Sequence, residues 1–288
     1  MRWQAGEMHE ADAGLFGPDS VTWRVHAEPV LWFAGLRALY LQALYPRVVE
    51  GVVQNSDYRG DAWGRLLRTA NYVGAVVYGS TAEAERAAAR VRGIHRRLQA
   101  RDPDTGKEYR IDEPDLLRWV HVTEVESFVS TAWRAGCPIS EDDVDRYYHE
   151  QLRAARLIGL DPATVPDSHR AVQDYYARIR PRLWLSDGAK ETARFLAVPP
   201  MPWGLGWTPA RAAWLGVSGL GFGLLPRWAR QIYRMPGLAS TDLTVTLTVR
   251  ALRRAIGALP DSVTRGPIYA DAMRRVAAAA RQDMTSAL

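Results

Sequence analysis

Apolar residues recur every three or four positions along most of this 288-residue chain, and strict alternation is almost absent. Such a chain has amphipathic helices to bury against one another and almost no strands from which to assemble a sheet. The one alternating run, Leu243–Val249 (LTVTLTV), leads straight into RALRRAIGAL, whose spacing is helical. In this context it reads as the first turns of a long buried helix, although its β-branched residues favour a strand. The expected fold is all-α, a single globular domain of many helices, with no convincing linker and no internal repeat.

Caps and breakers set the expected boundaries. Asp19 and Ser20 precede VTWRVH. Pro29 suits the first turn of the next helix, through LWFAGLRALYLQALY to about Pro46. A short helix over 47–55 and a polar turn at 55–61 lead into a helix of about 61–78, closed by Gly79 and Ser80. Thr81 is the expected cap of AEAERAAARVRGIHRRLQA, with Glu83 and Glu85 in its first turn. DPDTGKEYRIDEPD reads as a hairpin-like surface loop. Helices follow at about 115–134, 141–158 (capped by Ser140 with Asp143), 168–180, 187–197, 208–220, 226–234, 242–258 and 266–280. The Pro, Gly and Trp run VPPMPWGLGWTPAR interrupts this pattern. It reads as a packed loop, with a channel mouth or a membrane-docking segment over Pro199–Trp214 as the alternative.

Composition removes several classes. Hydrophobic residues are 47% and charged residues 24%, which excludes disorder and low complexity. Eleven Trp beside five Phe make the chain rich in indoles. Net charge is +5, and all basic residues except Lys107 and Lys190 are arginines spread along the chain, so no nucleic-acid partner is expected. A single cysteine, Cys137, excludes an intrachain disulfide and any multi-cysteine zinc or iron–sulfur site. MRWQAGEMHEADAG has no apolar run, so no signal peptide is expected, and no stretch has the length of a transmembrane span. A cytoplasmic protein is expected. Pro199–Leu225, interrupted by Arg211, comes nearest to a span and suits a buried segment or a membrane-surface patch. Peripheral membrane contact and homo-oligomerisation stay open.

The six histidines (9, 26, 95, 121, 149 and 169) form no HExxH and no closely spaced pair. His95 lies on the inward side of its helix with Ala84, Ala88 and Val91, and Arg92 lies three residues earlier on nearly the same face. Such an imidazole can ligate a metal or haem iron, or simply bond a backbone carbonyl. His121 and Glu124 are three apart beside an apolar band containing Trp119, Val122 and Phe128. They can pair as base and orienter, or form a surface ion pair. Arg65, Thr69, Tyr72 and Val76 form one stripe, joined by Arg68 on a neighbouring face. Polar groups on an apolar stripe need partners, either a bound anion or acids such as Asp57 and Asp61. GxGxxG, GxxxxGK, GxSxG, DxDxDG and paired ExxH motifs are all absent.

The run from GLFGPDSVTWRVHAEPVLWF to GIHRRL, followed by LLRWVHVTEVESFV, resembles the MpaB-like oxygenase family, which includes the catalytic domain of the latex-clearing rubber oxygenases. The resemblance extends over about residues 10–260. It implies an all-helical protein binding haem b through a histidine, with dioxygen and an apolar, isoprenoid-like organic substrate as partners. The family's Arg-x-x-His element is matched by Arg92 and His95, implying His95 as the iron ligand. Its Arg-x-x-Lys-Thr element is matched at both ends by Arg65 and Thr69, with Arg68 in the lysine's place, which changes donor geometry. Short bacterial relatives carry histidines where this chain has Tyr45 and Asn55, and they share the WVHVTE pattern around His121. The resemblance implies that Arg65, Arg68, Thr69, His121 and Glu124 act in catalysis, and that Arg92, Arg65 and Tyr72 join His95 in holding the haem. A haem-free helical protein binding an apolar ligand and a non-haem metalloenzyme using His95, His121 and Glu124 are the alternatives.

Overall fold

A computed structural model describes residues 12–57, 60–200, 209–260 and 264–286. Among them are thirteen α-helices: α1 (Val21–His26), α2 (Leu31–Ala43), α3 (Pro46–Asn55), α4 (Ala62–Tyr78), α5 (Thr81–His95), α6 (Pro114–Arg134), α7 (Glu141–Leu157), α8 (His169–Ile179), α9 (Asp187–Ala197), α10 (Pro209–Gly223), α11 (Arg227–Ile232), α12 (Ala239–Gly257) and α13 (Pro267–Ser286). The strands among the described residues are β1 (Gln99–Arg101) and β2 (Glu108–Arg110), an antiparallel hairpin in the loop after α5. The fold is all-α, as the periodicity requires.

Local chemistry explains most boundaries. Ser20 caps α1, accepting the Trp23 N–H. Ser140 and Asp143 form a reciprocal capping box on α7. The cap of α5 is Ser80 with Glu83, one residue before the expected Thr81. That helix ends at His95 because the next residues leave it to enter β1. Pro29 lies outside α2, which starts at Leu31. LTVTLTV is helical but buried on one side only. Val245 and Val249 pack with Leu220 and Leu224, while Leu243 and Leu247 are 61% and 56% exposed. Within Pro199–Leu225, residues 201–208 lie outside the described residues, so the expected channel mouth or docking loop falls largely there. The rest forms α10, whose Gly221 lies against Leu36 and Phe33 of α2, a close approach that a Cβ would obstruct.

The spine of the core is α2 laid along α6. Arg37, buried in α2, donates to both Glu126 carboxylate oxygens at 2.5 and 2.9 Å and to Ser127 Oγ at 2.6 Å. Its Nε donates to the Leu224 carbonyl at 3.0 Å, and Tyr176 donates to Glu126 at 3.1 Å. Further along, Trp119 donates to the Gln42 carbonyl at 3.2 Å. These bonds run α2 antiparallel to α6. On the other side, Glu150 of α7 accepts the Val21 and Thr22 N–H groups at 3.2 and 2.8 Å, adding a second cap to α1. The α4–α5 pair packs on α1, α7 and α13 and forms no extended interface with α2 or α6 among the described residues. No helix among the described residues is long and apolar enough to cross a membrane.

Candidate functional site

The site is built on the face of α6 that does not carry Glu126. His121, Glu124 and Phe128 succeed one another at spacings of three and four, so they share one stripe. His121 is buried, and its ring makes no hydrogen bond among the described residues. Burial alone pulls its pKa down to about 4, so the imidazole is neutral at ordinary pH. Glu124 is partly buried and likewise has no hydrogen-bond or ion-pair partner among the described residues. Burial pushes its carboxyl up to about 7. His121 and Glu124 therefore do not form the surface ion pair that their spacing allowed. They are two separate interior groups.

Other elements complete the surroundings. The Phe128 ring meets the His26 ring edge-on at 4.8 Å. His26, the last residue of α1, lies 3.0 Å from the Tyr147 hydroxyl of α7. Burial holds His26 down to about 3. Tyr147 is fully buried, and its pKa is raised well above the ordinary value by burial, with Glu124 adding to the shift. Tyr72 of α4 is raised by burial and by Glu124, and lowered by Arg92. Glu124 is thus the charge that Tyr72 and Tyr147 both feel.

Sequence reasoning singled out His121, Glu124, Tyr72 and Arg92, and the structure links Tyr72 electrostatically to Glu124 and Arg92, with His121 on the same stripe of α6 as Glu124. It passed over His26 and Tyr147, because nothing local links residues that meet across a separation of 121 positions.

The remaining candidates sit further out. Arg92 is partly buried and donates to the Leu157 carbonyl at the end of α7, which ties α5 to that helix terminus. His95 is partly buried, and burial lowers its pKa while Asp112 acts against it. Arg65 donates to the Ser56 hydroxyl. Along the α4 stripe, Val76 is buried, Tyr72 and Arg65 are partly buried and Thr69 is exposed, its hydroxyl bonded to the Arg65 carbonyl at 3.1 Å. Arg68 is exposed and paired with Asp61 at 2.7 Å, so that acid partners Arg68.

Tyr45 and Asn55, which stand where short relatives carry histidine, are held by structural bonds. The Tyr45 hydroxyl accepts from Arg182, and Asn55 donates to the Gln99 carbonyl at 2.8 Å. Among the described residues, no three His, Cys, Asp or Glu side chains come together as a metal-binding group. No trio of His95, His121 and Glu124 is thereby assembled.

No curated protein and no solved structure matches the chain. The family model of the ER-bound oxygenase mpaB/B'/rubber oxygenase catalytic domain matches residues 23–258, most of the chain, and the protein belongs to that family.

Proposed function

We propose that this oxygenase-family protein binds haem b and uses dioxygen on an apolar, isoprenoid-like organic substrate. The observation that carries the reading is the interior stripe of α6. His121 is buried and Glu124 half-buried, and both titratable groups lack a hydrogen-bond or ion-pair partner among the described residues, an arrangement that favours a reaction site over a structural core.

The residues fit a single-histidine haem site. His95 is the proposed ligand, because burial favours its unprotonated form, whose ring nitrogen carries a free lone pair. Haem iron takes a single protein histidine, so the site does not depend on a multi-ligand group. Arg92, Arg65 and Tyr72 are proposed to border the porphyrin and its propionates. When bound, ferrous haem supplies the electrons and the open coordination position needed to activate dioxygen.

The chain's own groups then manage protons and water. Glu124, with a pKa of about 7, holds a proton at one carboxyl oxygen in about half of the molecules at neutral pH, so it can give or take one without a large driving force. His121, neutral at that pH, can donate from one ring nitrogen and accept at the other. Tyr72 stays protonated and offers a donor. Arg65, Arg68 and Thr69 are proposed to act from the outer end of the stripe, where exposure falls off from Thr69 to buried Val76. Phe128, on the same stripe, is proposed to supply apolar surface for a hydrocarbon substrate.

An absorption spectrum of the protein after haemin uptake tests the reading. A Soret band is expected in the parent protein and in His121→Ala, and it should be lost in His95→Ala. A folded protein that takes up no haemin overturns the cofactor, and a band lost in His121→Ala but kept in His95→Ala overturns the ligand.

A further inference from the structure

A cleft of about 720 Å³ opens where the α1–α2 turn, the α6–α7 turn, α12 and α13 meet. That volume lies within the range of small-molecule sites. None of its lining residues belongs to the candidate site described above. Its apolar wall includes Trp23, Pro138 and Met273. Trp23 is held rigid by its indole N–H on the Val77 carbonyl at 2.9 Å and by an edge contact with Tyr78 at 5.1 Å. Met273 is 41% exposed, a large apolar side chain at the edge of a concave surface.

The polar wall is mainly cationic, with four guanidinium groups facing one carboxylate, Glu28. Arg253 grips Glu28 with two bonds at 2.6 and 2.8 Å, a fork on a carboxylate. Arg24 is matched by Asp143 at 2.5 Å, and Arg265 donates to the Tyr269 hydroxyl at 2.7 Å. Arg254 makes no side-chain hydrogen bond or ion pair among the described residues. Burial pushes the Cys137 thiol in the same wall up to about 12, so it adds no negative charge. The cleft therefore couples a rigid apolar wall to a cation without a protein partner.

We propose that this cleft binds an organic monocarboxylate with an apolar body, its carboxylate on Arg254 and its body along Pro138 and Met273, a surface backed by the buried Trp23. Arginine suits a carboxylate because its planar fork matches both oxygens, as Arg253 already does with Glu28 in the same wall. The apolar wall excludes a bare inorganic anion as the best occupant, since the exposed Pro138 and Met273 surface would then remain wet.

Calorimetric titration of the full chain with decanoate tests this. Saturable binding of one decanoate is expected, with decanol and inorganic phosphate each bound at least about tenfold more weakly. Arg254→Glu and Met273→Glu, both at exposed positions, are each expected to weaken decanoate about tenfold or more while the unfolding midpoint stays unchanged. Haemin uptake by both variants should match the parent protein, which separates this cleft from the site on α6. Decanol binding as tightly as decanoate, phosphate binding as tightly as decanoate, or unchanged decanoate affinity in both variants would overturn the proposal.

Discussion

Glu124 and Glu126 lie two residues apart on α6, about 200° apart around the helix. Glu126 faces α2 and receives a bidentate arginine and a tyrosine hydroxyl, which leaves little of its hydrogen-bonding capacity unused. Glu124, on the opposite face, lies within electrostatic reach of Tyr72 of α4 and Tyr147 of α7 and receives no hydrogen bond from the described residues. The same side chain on the same helix is thus a structural clamp on one face and, on the other, a carboxyl with no partner among the described residues. Burial alone does not mark a functional carboxylate; burial without partners does. The same contrast separates His26, hydrogen-bonded to Tyr147, from His121, which has no hydrogen-bond partner among the described residues.

Breaking the clamp should have the largest effect. Arg37→Met leaves the Glu126 carboxylate buried without its cation and should cost about 3–5 kcal/mol in denaturant unfolding. The double variant Arg37→Met with Glu126→Leu should recover most of that loss, because no uncompensated charge remains. A small effect of the single variant would erase the distinction between the two faces.

The opposite face should speak through pH. Glu124 has a folded pKa of about 7 against an ordinary 4.5, so between those values the unfolded chain binds fewer protons than the folded one. The contribution of Glu124 to stability should therefore fall as pH rises through that window, by about 3 kcal/mol, against the opposite trend of the buried histidines. The stability difference between the parent and Glu124→Gln should change by that amount between pH 5 and pH 8, as unfolding at the two pH values would reveal. His121, folded near 4 against 6.5, works in the other direction. The unfolded chain binds more protons in that window, so the contribution of His121 falls as pH drops from about 6.5 toward 4, and the difference between the parent and His121→Gln should shrink over that limb. The smallest effect is expected at Arg68. Its pair with Asp61 is exposed, so Arg68→Ala should leave the unfolding midpoint unchanged, and any effect on turnover would then report its proposed role near substrate.

The helical architecture was legible because its signals are local. Ser20, Ser140 and Asp143 cap helices where the sequence places them, and DPDTGKEYRIDEPD does form a hairpin. LTVTLTV became a helix because the i, i+4 pair Val245 and Val249 meets α10, while the alternating pattern had no neighbouring strand to pair with. The stripe of His121 and Glu124 was visible from spacing, but its meaning was not. Whether Glu124 or Glu126 takes a cation depends on Arg37, 89 residues earlier than Glu126, and on which face of α6 meets α2. Glu150 capping α1 and His26 meeting Tyr147 are equally non-local, so no periodicity could reveal them. The resemblance to the oxygenase family pointed to Arg92 and His95 on grounds that spacing alone lacked.

The most direct test of the difference between the two faces is the titration of the Glu124 carboxyl carbon, followed by NMR in protein labelled at glutamate and assigned by its disappearance in Glu124→Gln. The account predicts a midpoint near 7 for this one resonance. A midpoint in the ordinary carboxylate range, near 4.5, would mean that Glu124 is solvated or paired, and would contradict the claim that α6 holds an unpartnered proton donor in the interior.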